Sequence, residues 1–259
     1  MKPNSSPTDG VKGAQSVHRA IAVLRVVATS GEAGAQPAEI ARQLDLTVAT
    51  THRLVATLVQ EAMIERSPTT KRYRIGPELV ALGSTFDRRT LLRERLNPML
   101  RQLAKISGDT VFLHLRSGRF ATCVAREEGA FPIRAMTVDV GSRRPLGVGA
   151  GPLAILAFLP ETERASIIAS NASRFPDYGL ATRTVREMSE RALTLGYALN
   201  DGRILPDMTA IAVPVQTTHD RVLGSVSIAA INSRMEPKRR DSLAALLRRE
   251  IARLTPLPE

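Results

Sequence analysis

The amino-acid sequence predicts an α+β fold in two domains, and three observations support this prediction. The chain has 259 residues, whereas a single domain usually holds about 100–200 residues. Apolar residues recur at helical spacing through most of residues 15–92. From residue 92 onward, helical segments alternate with apolar, strand-like segments, a pattern typical of an antiparallel sheet with helices on its faces. We place the boundary between the domains at residues 85–92.

Two short helices joined by a tight break are the central feature of the first domain. Pro37 suits the first position of a helix, because the N–H group that it lacks would have no partner there. The helical pattern breaks at Asp45 and Leu46, and Thr47 is a good N-cap for the second helix. The residues that recur at helical spacing predict the buried face of this second helix: Val48, Thr51, Val55, Leu58 and Ala62, with Leu54 and Val59.

The opposite face of the second helix suits a DNA major groove. No acidic residue precedes Glu61 on this helix, and a bulky or acidic face could not approach base edges between two rows of phosphates. Two short strands at 64–66 and 73–75 follow, with Lys71 and Arg72 next to the turn that joins them. A helix-turn-helix with a basic two-stranded wing therefore predicts that residues 37–76 bind double-stranded DNA. The side chains of this face are small, hydrogen-bonding or cationic: Ala49, Thr50, Arg53, Thr57 and Gln60.

The composition favours a cytoplasmic protein with a polyanionic partner. The net charge is +11, but residues 1–90 hold twelve basic and eight acidic residues, so most of the excess lies outside the predicted DNA-binding part. Cys123 is the single cysteine, which excludes an internal disulfide and fits a reducing compartment. We expect no membrane association, because no apolar run approaches the roughly 18–20 residues that span a bilayer and the N-terminus lacks a signal-peptide core.

Further segments complete the first domain and lead to the second. Residues 1–14 are rich in Pro, Ser and Gly, which predicts a disordered lead-in. Residues 16–29 predict a first helix with Ser16 as its N-cap, and this helix would complete a three-helix core. Residues 77–89 predict a connecting helix. The apolar face of the first helix is predicted to hold Val17, Ala20, Ile21, Leu24, Val27 and Ala28.

The second domain has the pattern of a sensor-like antiparallel sheet with helices. Alternation at Arg134, Met136 and Val138 predicts a third short strand, and a glycine-rich loop at 141–152 is expected to lead into a helix at 153–159. The other expected strands are 111–115, 121–126, 197–200, 208–215 and 222–231. The other expected helices are 92–107, 161–169, 184–195 and 236–254.

Three stretches together resemble the IclR family of bacterial transcription regulators, and the similarity extends from about residue 15 to about residue 254. The run Thr50-Thr51-His52-Arg53-Leu54 is similar to the recognition helix of the family. Tyr73-Arg74-Ile75-Gly76, followed by Leu79, Leu82 and Gly83, is similar to its wing end and linker. The third stretch, Gly141-Ser142-Arg143-Arg144-Pro145-Leu146 with Ala154 and 156–160, is similar to its effector-domain signature.

The resemblance implies a domain plan, an assembly and a type of signal. It implies a winged helix-turn-helix at 15–76, a linker helix at 77–91 and a GAF/PAS-like effector-binding domain at 92–256. It also implies a homodimer or homotetramer and a small-molecule effector, either an acidic or an aromatic metabolite, with no cofactor. Where the family often has a serine before the threonine of the recognition helix, this chain has Ala49, which removes one hydrogen-bonding group.

Seven residues are candidate DNA contacts. Arg53 would either recognise a guanine with two hydrogen bonds or hold a phosphate. His52 either faces the groove or packs against the wing. The seven candidates are Thr47, Ala49, Thr50, His52, Arg53, Lys71 and Arg72.

Eight residues are candidate effector contacts by their match to the family motifs. Asn200 and Ser227 would hydrogen-bond a ligand, whereas the apolar candidates either shape a cavity or simply belong to the sheet core. Arg134 or Arg203 either neutralises an acidic ligand or, as is more common for an arginine on a strand or loop, is simply solvated. N–H groups at the start of the helix after the glycine-rich loop favour an anion. The eight candidates are Ile133, Met136, Ala150, Gly151, Asn200, Ala210, Ser227 and Ala229.

Enzymatic chemistry is not expected. Cys123 and His114 lie on neighbouring strands and would form a thiolate pair only if the strands align them, and otherwise Cys123 is a small core residue. The four histidines are scattered without metal-ligand spacing. The alternative to a DNA-binding regulator is a small-molecule-binding module that acts through protein contacts and retains a vestigial winged domain. The basic residues of the wing argue against this alternative.

Overall fold

The computed structural model describes residues 14–84, 87–135, 138–219 and 221–254. It divides into two compact units, the first ending at Asp87 and the second beginning at Arg88. All of the predicted lead-in except Ala14, together with Met136 from the candidate effector residues, lies outside the described residues. The α+β prediction is confirmed, since a helical unit with a small hairpin precedes a unit built on an antiparallel sheet.

The helix-turn-helix forms where the local sequence signals place it. Helix α1 (Gln15–Thr29) precedes α2 (Pro37–Leu44), which starts at its proline and is followed at its C-terminus by Asp45, a residue in the left-handed region with φ of 52°. Thr47 caps α3, because its hydroxyl oxygen accepts a hydrogen bond from the Thr50 backbone N–H at 3.2 Å. The helices of this unit are α1 (Gln15–Thr29), α2 (Pro37–Leu44), α3 (Val48–Gln60) and α4 (Pro77–Ser84).

A three-helix core holds this unit together, but the predicted buried faces of the first and third helices are wrong in part. Helix α1 begins at Gln15 with Ala14 at the cap position, so Ser16 is not its cap. The first two turns of α1 contribute little to the core, and the buried face instead centres on residues later in the helix. The buried residues include Val23, Val26, Val27, Ile40, Val55, Leu58 and Ile64. The residues predicted as buried that are in fact exposed are Val17, Ile21, Ala28, Val48, Val59 and Ala62.

The wing is a two-stranded antiparallel hairpin formed by β1 (Ile64–Arg66) and β2 (Tyr73–Ile75), as predicted. Ala35 joins it as an isolated bridge to Tyr73, with N–H to O distances of 2.8 and 2.9 Å in the two directions. The bridge ties the wing to the loop before α2, and because Tyr73 directly follows the hairpin turn, the contact lies at the end of the strands nearest that turn.

A six-stranded antiparallel sheet organises the second unit, with strand order β5-β4-β3-β8-β7-β6. One face packs on α5 and α9 and the other on α6, α7 and α8, so each face of the sheet has its own apolar core. The strands are β3 (Thr110–Ser117), β4 (Phe120–Glu127), β5 (Arg143–Pro145), β6 (Ala198–Asp201), β7 (Met208–Gln216) and β8 (Val222–Ile231). The helices are α5 (Asp87–Ser107), α6 (Ala150–Ala157), α7 (Glu161–Asn171), α8 (Thr182–Leu195) and α9 (Pro237–Ala252).

The segment between β4 and α6 differs from its prediction in two ways. Arg134 and Val138 lie in irregular chain, not in a strand, and the edge strand forms later as β5, which pairs with β4. Helix α6 begins at Ala150 instead of residue 153. Gly149 precedes it with φ of 86°, a conformation that suits glycine, and Pro152 is tolerated because it falls in the first helical turn.

Candidate functional site

The outward face of α3 is open to solvent in the first unit. Ala49, His52 and Arg53 are exposed, while Thr51, Val55 and Leu58 on the inward side are buried. Because His52 is exposed, the alternative in which its ring packs against the wing is not favoured. The face therefore presents one arginine and short side chains to solvent, a composition that suits a major groove.

Two of the candidate contacts on α3 are hydrogen-bonded to each other. The Thr47 hydroxyl donates to the Thr50 hydroxyl oxygen at 2.8 Å and accepts from the Thr50 N–H. This pair fixes the first turn of α3, so that both oxygens occupy defined positions at the end of the helix where N–H groups lack intrahelical partners. A helix N-terminus of this kind suits a phosphate oxygen.

Three cations of the wing are exposed, whereas a fourth, Arg72, is held by contacts within the unit. Lys71 is exposed at a left-handed turn position with φ of 58°, and Arg74 is exposed on β2. Arg66 is also exposed, and its Nε lies 3.4 Å from the backbone oxygen of Lys71. Sequence reasoning missed Arg66 and Arg74. The hairpin register pairs Arg74 with Glu65 and Arg66 with Tyr73, so the two arginines lie on opposite faces and no single alternating pattern would have indicated both.

Arg72 makes hydrogen bonds within its own unit, whereas the sequence predicted a wing cation available to DNA. Its guanidinium donates to both carboxylate oxygens of Glu39 at 2.8 and 2.9 Å and to the Gly34 backbone oxygen at 3.0 Å. A hydrogen bond from the Gln36 N–H and these contacts with Arg72 hold the pKa of Glu39 below its usual value. Arg72 thus fastens the wing to α2, and its contact with DNA stays a prediction.

A cavity of about 40 Å³ lies in the second unit, between the start of α6 and the sheet. Its wall includes six of the eight candidate effector residues: Ala150, Gly151, Asn200, Ala210, Ser227 and Ala229. Ile133 does not line it and is 56% exposed, in a segment of irregular chain outside the sheet. Sequence reasoning missed a further set of lining residues, among them Phe112, His114, Val138, Arg144, Ile204 and Met208.

His114 is buried in the cavity wall and has unused hydrogen-bonding capacity. Burial, together with the charge of Arg144, lowers the pKa of His114 to about 3, so the ring is neutral at neutral pH. Within the part of the chain that the structure describes, neither ring nitrogen has a hydrogen-bond partner. The Oδ1 atom of Asn200, on the same wall, also lacks one among those residues.

Arg144 provides the positive charge of the cavity. It is only 8% exposed, and burial lowers the pKa of its guanidinium. A Cβ atom added at Gly149 would lie 3.4 Å from an Arg144 Nη atom, so the arginine runs close to the start of α6. Arg134 and Arg203, for which a ligand contact was weighed against a solvated surface position, are ion-paired with Glu128 and Asp201 and do not line the cavity.

Cys123 does not form a nucleophilic pair with His114. The two residues are aligned across β3 and β4, but burial raises the pKa of the Cys123 thiol to about 12, so the thiol stays protonated. Its sulfur donates to the Ala125 backbone oxygen at 3.6 Å. Cys123 is therefore a core residue, packed with Phe112 and Ala229.

Membrane-spanning helices and metal clusters are both absent from the described ranges. None of the helices there has the length and apolar character that a bilayer crossing requires. No group of three or more His, Cys, Asp or Glu side chains is arranged to hold a metal ion in that part of the chain.

Comparison with known proteins links both units to transcription regulators. Residues 16–68 match the IclR helix-turn-helix domain, and residues 86–254 match the C-terminal domain of the bacterial transcriptional regulator IclR. The HTH-type transcriptional regulator BhcR of Paracoccus denitrificans is 28% identical over 234 residues, which cover 90% of this chain and 83% of BhcR. The HTH-type transcriptional repressor AllR of Klebsiella pneumoniae is 28% identical over 249 residues, or 95% of this chain and 91% of AllR.

Solved structures show the same fold. An IclR transcriptional regulator from Alicyclobacillus acidocaldarius superposes with a TM-score of 0.72 at 22% identity, covering 93% of this chain and 97% of that one. An IclR homologue from Microbacterium hydrocarbonoxydans, in complex with 4-hydroxybenzoate, gives a TM-score of 0.71 at 19% identity and covers 92% and 97% of the two chains. These relatives are regulators rather than enzymes, as expected from the sequence. With both of its units matched, the chain belongs to the IclR family of bacterial transcriptional regulators and is a DNA-binding protein of that type.

Proposed function

We propose that a small organic molecule, bound in the cavity beside α6, controls how tightly this regulator holds its operator. The observation that carries this proposal is the pair of buried polar side chains on the cavity wall, His114 and Asn200, whose ring nitrogens and Oδ1 atom have no partner in the described residues. A buried polar atom without a partner costs about 1–3 kcal/mol. A ligand that pairs with these atoms would recover that cost and bind only the folded state.

Both parts of the chain contribute to this control. The exposed face of α3, with Arg53 at its centre, would enter the major groove, and Lys71 and Arg74 of the wing would contact phosphates. We propose a homodimer or a larger homo-oligomer, because two winged units placed about 34–36 Å apart would meet successive half-sites on one side of the duplex. Effector binding would then change the DNA affinity by a coupling of about 1–3 kcal/mol, a factor of roughly 5–150.

The ligand-bound homologue supports an organic effector. The Microbacterium homologue holds 4-hydroxybenzoate in its crystal structure, a compound with both a carboxylate and a hydroxyl group. The cavity in the present chain contains groups that would pair with both functions, namely the Arg144 guanidinium and the polar atoms of His114 and Asn200.

A two-stage experiment tests this function. Fluorescence anisotropy would first measure the affinity of the full-length protein for labelled DNA from upstream of its own gene and for a scrambled duplex of equal length. A panel of organic acids and neutral metabolites would then be screened by thermal shift, and every compound that raises the melting temperature would be added to the anisotropy titration. At least one such compound should change the operator affinity several-fold or more without changing the affinity for the scrambled duplex. If stabilising compounds leave the operator affinity unchanged, effector control is contradicted.

A further inference from the structure

We propose that the effector of this protein is a small aliphatic hydroxycarboxylate, with Arg144 holding the carboxylate and His114 and Asn200 holding the hydroxyl group. This inference rests on the proposed function, because it names the class of molecule that the cavity beside α6 would take. Three features of the cavity lead to it: a site for negative charge, a set of polar atoms that find no partner in the described residues, and a small volume.

The charge requirement follows from Arg144 and the start of α6. The guanidinium of Arg144 lines the cavity at 8% exposure, where a charge interaction is stronger than in water. Helix α6 begins at Ala150 without a side-chain cap in the described residues, and Ala150 and Gly151 both line the cavity. The N–H groups of an uncapped first turn attract anions, and Arg144 runs along the same end of the helix. A planar guanidinium suits a carboxylate, which accepts two parallel hydrogen bonds from it.

The hydroxyl requirement follows from the polar atoms of His114 and Asn200. A neutral imidazole has one nitrogen that donates and one that accepts, so His114 can serve a ligand in both directions. The Oδ1 atom of Asn200 accepts only. A ligand hydroxyl group donates one hydrogen bond and accepts others, which matches this combination. A carboxylate alone accepts only and would leave the Asn200 oxygen unpaired.

The size requirement follows from the volume. The cavity measures about 40 Å³, whereas a cavity that takes up benzene measures about 150 Å³. The large side chains of Phe112, Ile204 and Met208 line this cavity and limit its width. An aliphatic hydroxycarboxylate such as glycolate or lactate matches the space better than a benzoate.

Matched ligands separate the three requirements. Isothermal titration calorimetry on the full-length protein would compare four compounds: lactate, propionate without the hydroxyl group, lactamide without the charge, and mandelate with an added phenyl ring. Lactate should bind at least about tenfold more tightly than each of the other three. A tenfold ratio of affinities corresponds to about 1.4 kcal/mol at 25 °C.

Matched variants assign each requirement to its residue. R144Q should remove the preference for lactate over lactamide but keep the preference for lactate over propionate. N200A should remove the preference for lactate over propionate but keep the preference for lactate over lactamide. R134Q is the control, since Arg134 is an exposed arginine paired with Glu128, and it should keep both preferences.

The outcomes distinguish this inference from the proposed function. If propionate or mandelate binds as tightly as lactate, or if R144Q leaves the charge preference intact, the hydroxycarboxylate assignment is wrong. If no hydroxycarboxylate binds but another organic molecule changes the operator affinity, the assignment is also wrong and effector control stands. If lactate binds with the expected selectivity but never alters the operator affinity, the ligand class is supported and effector control fails.

Discussion

Gly151 lies against the imidazole ring of His114 so closely that a Cβ atom added at Gly151 would be 2.4 Å from the His114 Nδ1 atom. The backbone oxygen of Gly151 also accepts a hydrogen bond from Ser225 on β8 at 2.8 Å, which holds the first turn of α6 against the sheet. The His114 ring can occupy its position only because Gly151 has no side chain, and α6 cannot readily move away from the sheet. A single methyl group at position 151 would therefore displace the ring.

The substitution G151A should therefore weaken the effector response more than it weakens DNA binding. Overpacking of this kind typically costs about 1–3 kcal/mol in folding free energy. Thermal melting and anisotropy would be measured with and without a stabilising ligand. The control is G83A in α4, where a Cβ would meet nothing within 4 Å among the described residues, and this variant should not lower the melting temperature. A fully retained ligand response in G151A would contradict the role given to His114.

The burial of His114 should make the protein sensitive to acid. Its pKa is about 3 in the folded state, whereas an unperturbed histidine has a pKa of 6.5, so between these values the unfolded chain binds a proton that the folded chain does not. Stability is therefore complete above pH 6.5 and falls as the pH decreases towards 3, by at most about 1.4 kcal/mol per pH unit from this residue. Urea unfolding at several values between about pH 7 and pH 4.5 would measure the slope. H114Q should flatten it, and an unchanged slope would show that His114 is not the group responsible.

The wing should depend on the contact between Arg72 and Glu39. Both side chains are partly exposed, so we expect E39Q and R72A to lower the stability of the winged unit by no more than about 1 kcal/mol each. If Arg72 serves only to hold the wing, neither change should alter how the DNA affinity depends on salt. A phosphate contact by Arg72 would instead appear as a salt slope about one unit shallower in R72A than in E39Q, measured by anisotropy between about 50 and 200 mM salt.

Cys123 should be unreactive in the native protein. Its thiol is fully buried, and its pKa of about 12 leaves almost no thiolate at neutral pH. A colorimetric thiol reagent at mildly alkaline pH should modify it at a rate that rises by orders of magnitude when urea unfolds the second unit. Equal rates in native buffer and in urea would show that the thiol is accessible, and the core position of Cys123 would then be wrong.

The winged unit is predictable from sequence because its signals are local. Pro37 at a helix start, Thr47 at a cap and the strand pair around Lys71 each specify a few neighbouring residues, and their order specifies the motif. The buried face of α1 is less predictable, because Val17 and Ile21 fit the helical period but lie on turns that extend past the core. Periodicity predicts which face of a helix is buried, but it does not predict how far along the helix a partner covers that face.

The cavity is only partly predictable from sequence, because contacts between distant segments decide which residues line it. Family motifs led to Asn200 and to the start of α6, because these positions stand in recognisable runs. Arg144 also stands in such a run, but the run does not distinguish it from Arg143, and His114 stands in none. Arg144 appears in the sequence as one of two adjacent arginines, and only the pairing of β5 with β4 decides that it is the buried one. His114 becomes a cavity residue because Gly151, far along the chain, leaves room for its ring, a relationship between strand and helix that no local pattern contains.

Arg53 offers the most direct test of the DNA-binding assignment, which depends on the exposed face of α3 entering DNA. Anisotropy titrations with the upstream duplex and the scrambled duplex, each at several salt concentrations, would compare wild type with R53A and with R183A. The R183A control removes the same charge from an arginine of α8 whose side chain is 90% exposed.

R53A should lose at least about 1–3 kcal/mol of affinity for the upstream duplex, a factor of roughly 5–150, whereas R183A should match the wild type. If the loss occurs only on the upstream duplex, Arg53 reads a base, and if it occurs equally on both with a shallower salt slope, Arg53 holds a phosphate. Full affinity in R53A, with an unchanged preference for the upstream duplex, would contradict the claim that this face of α3 binds DNA.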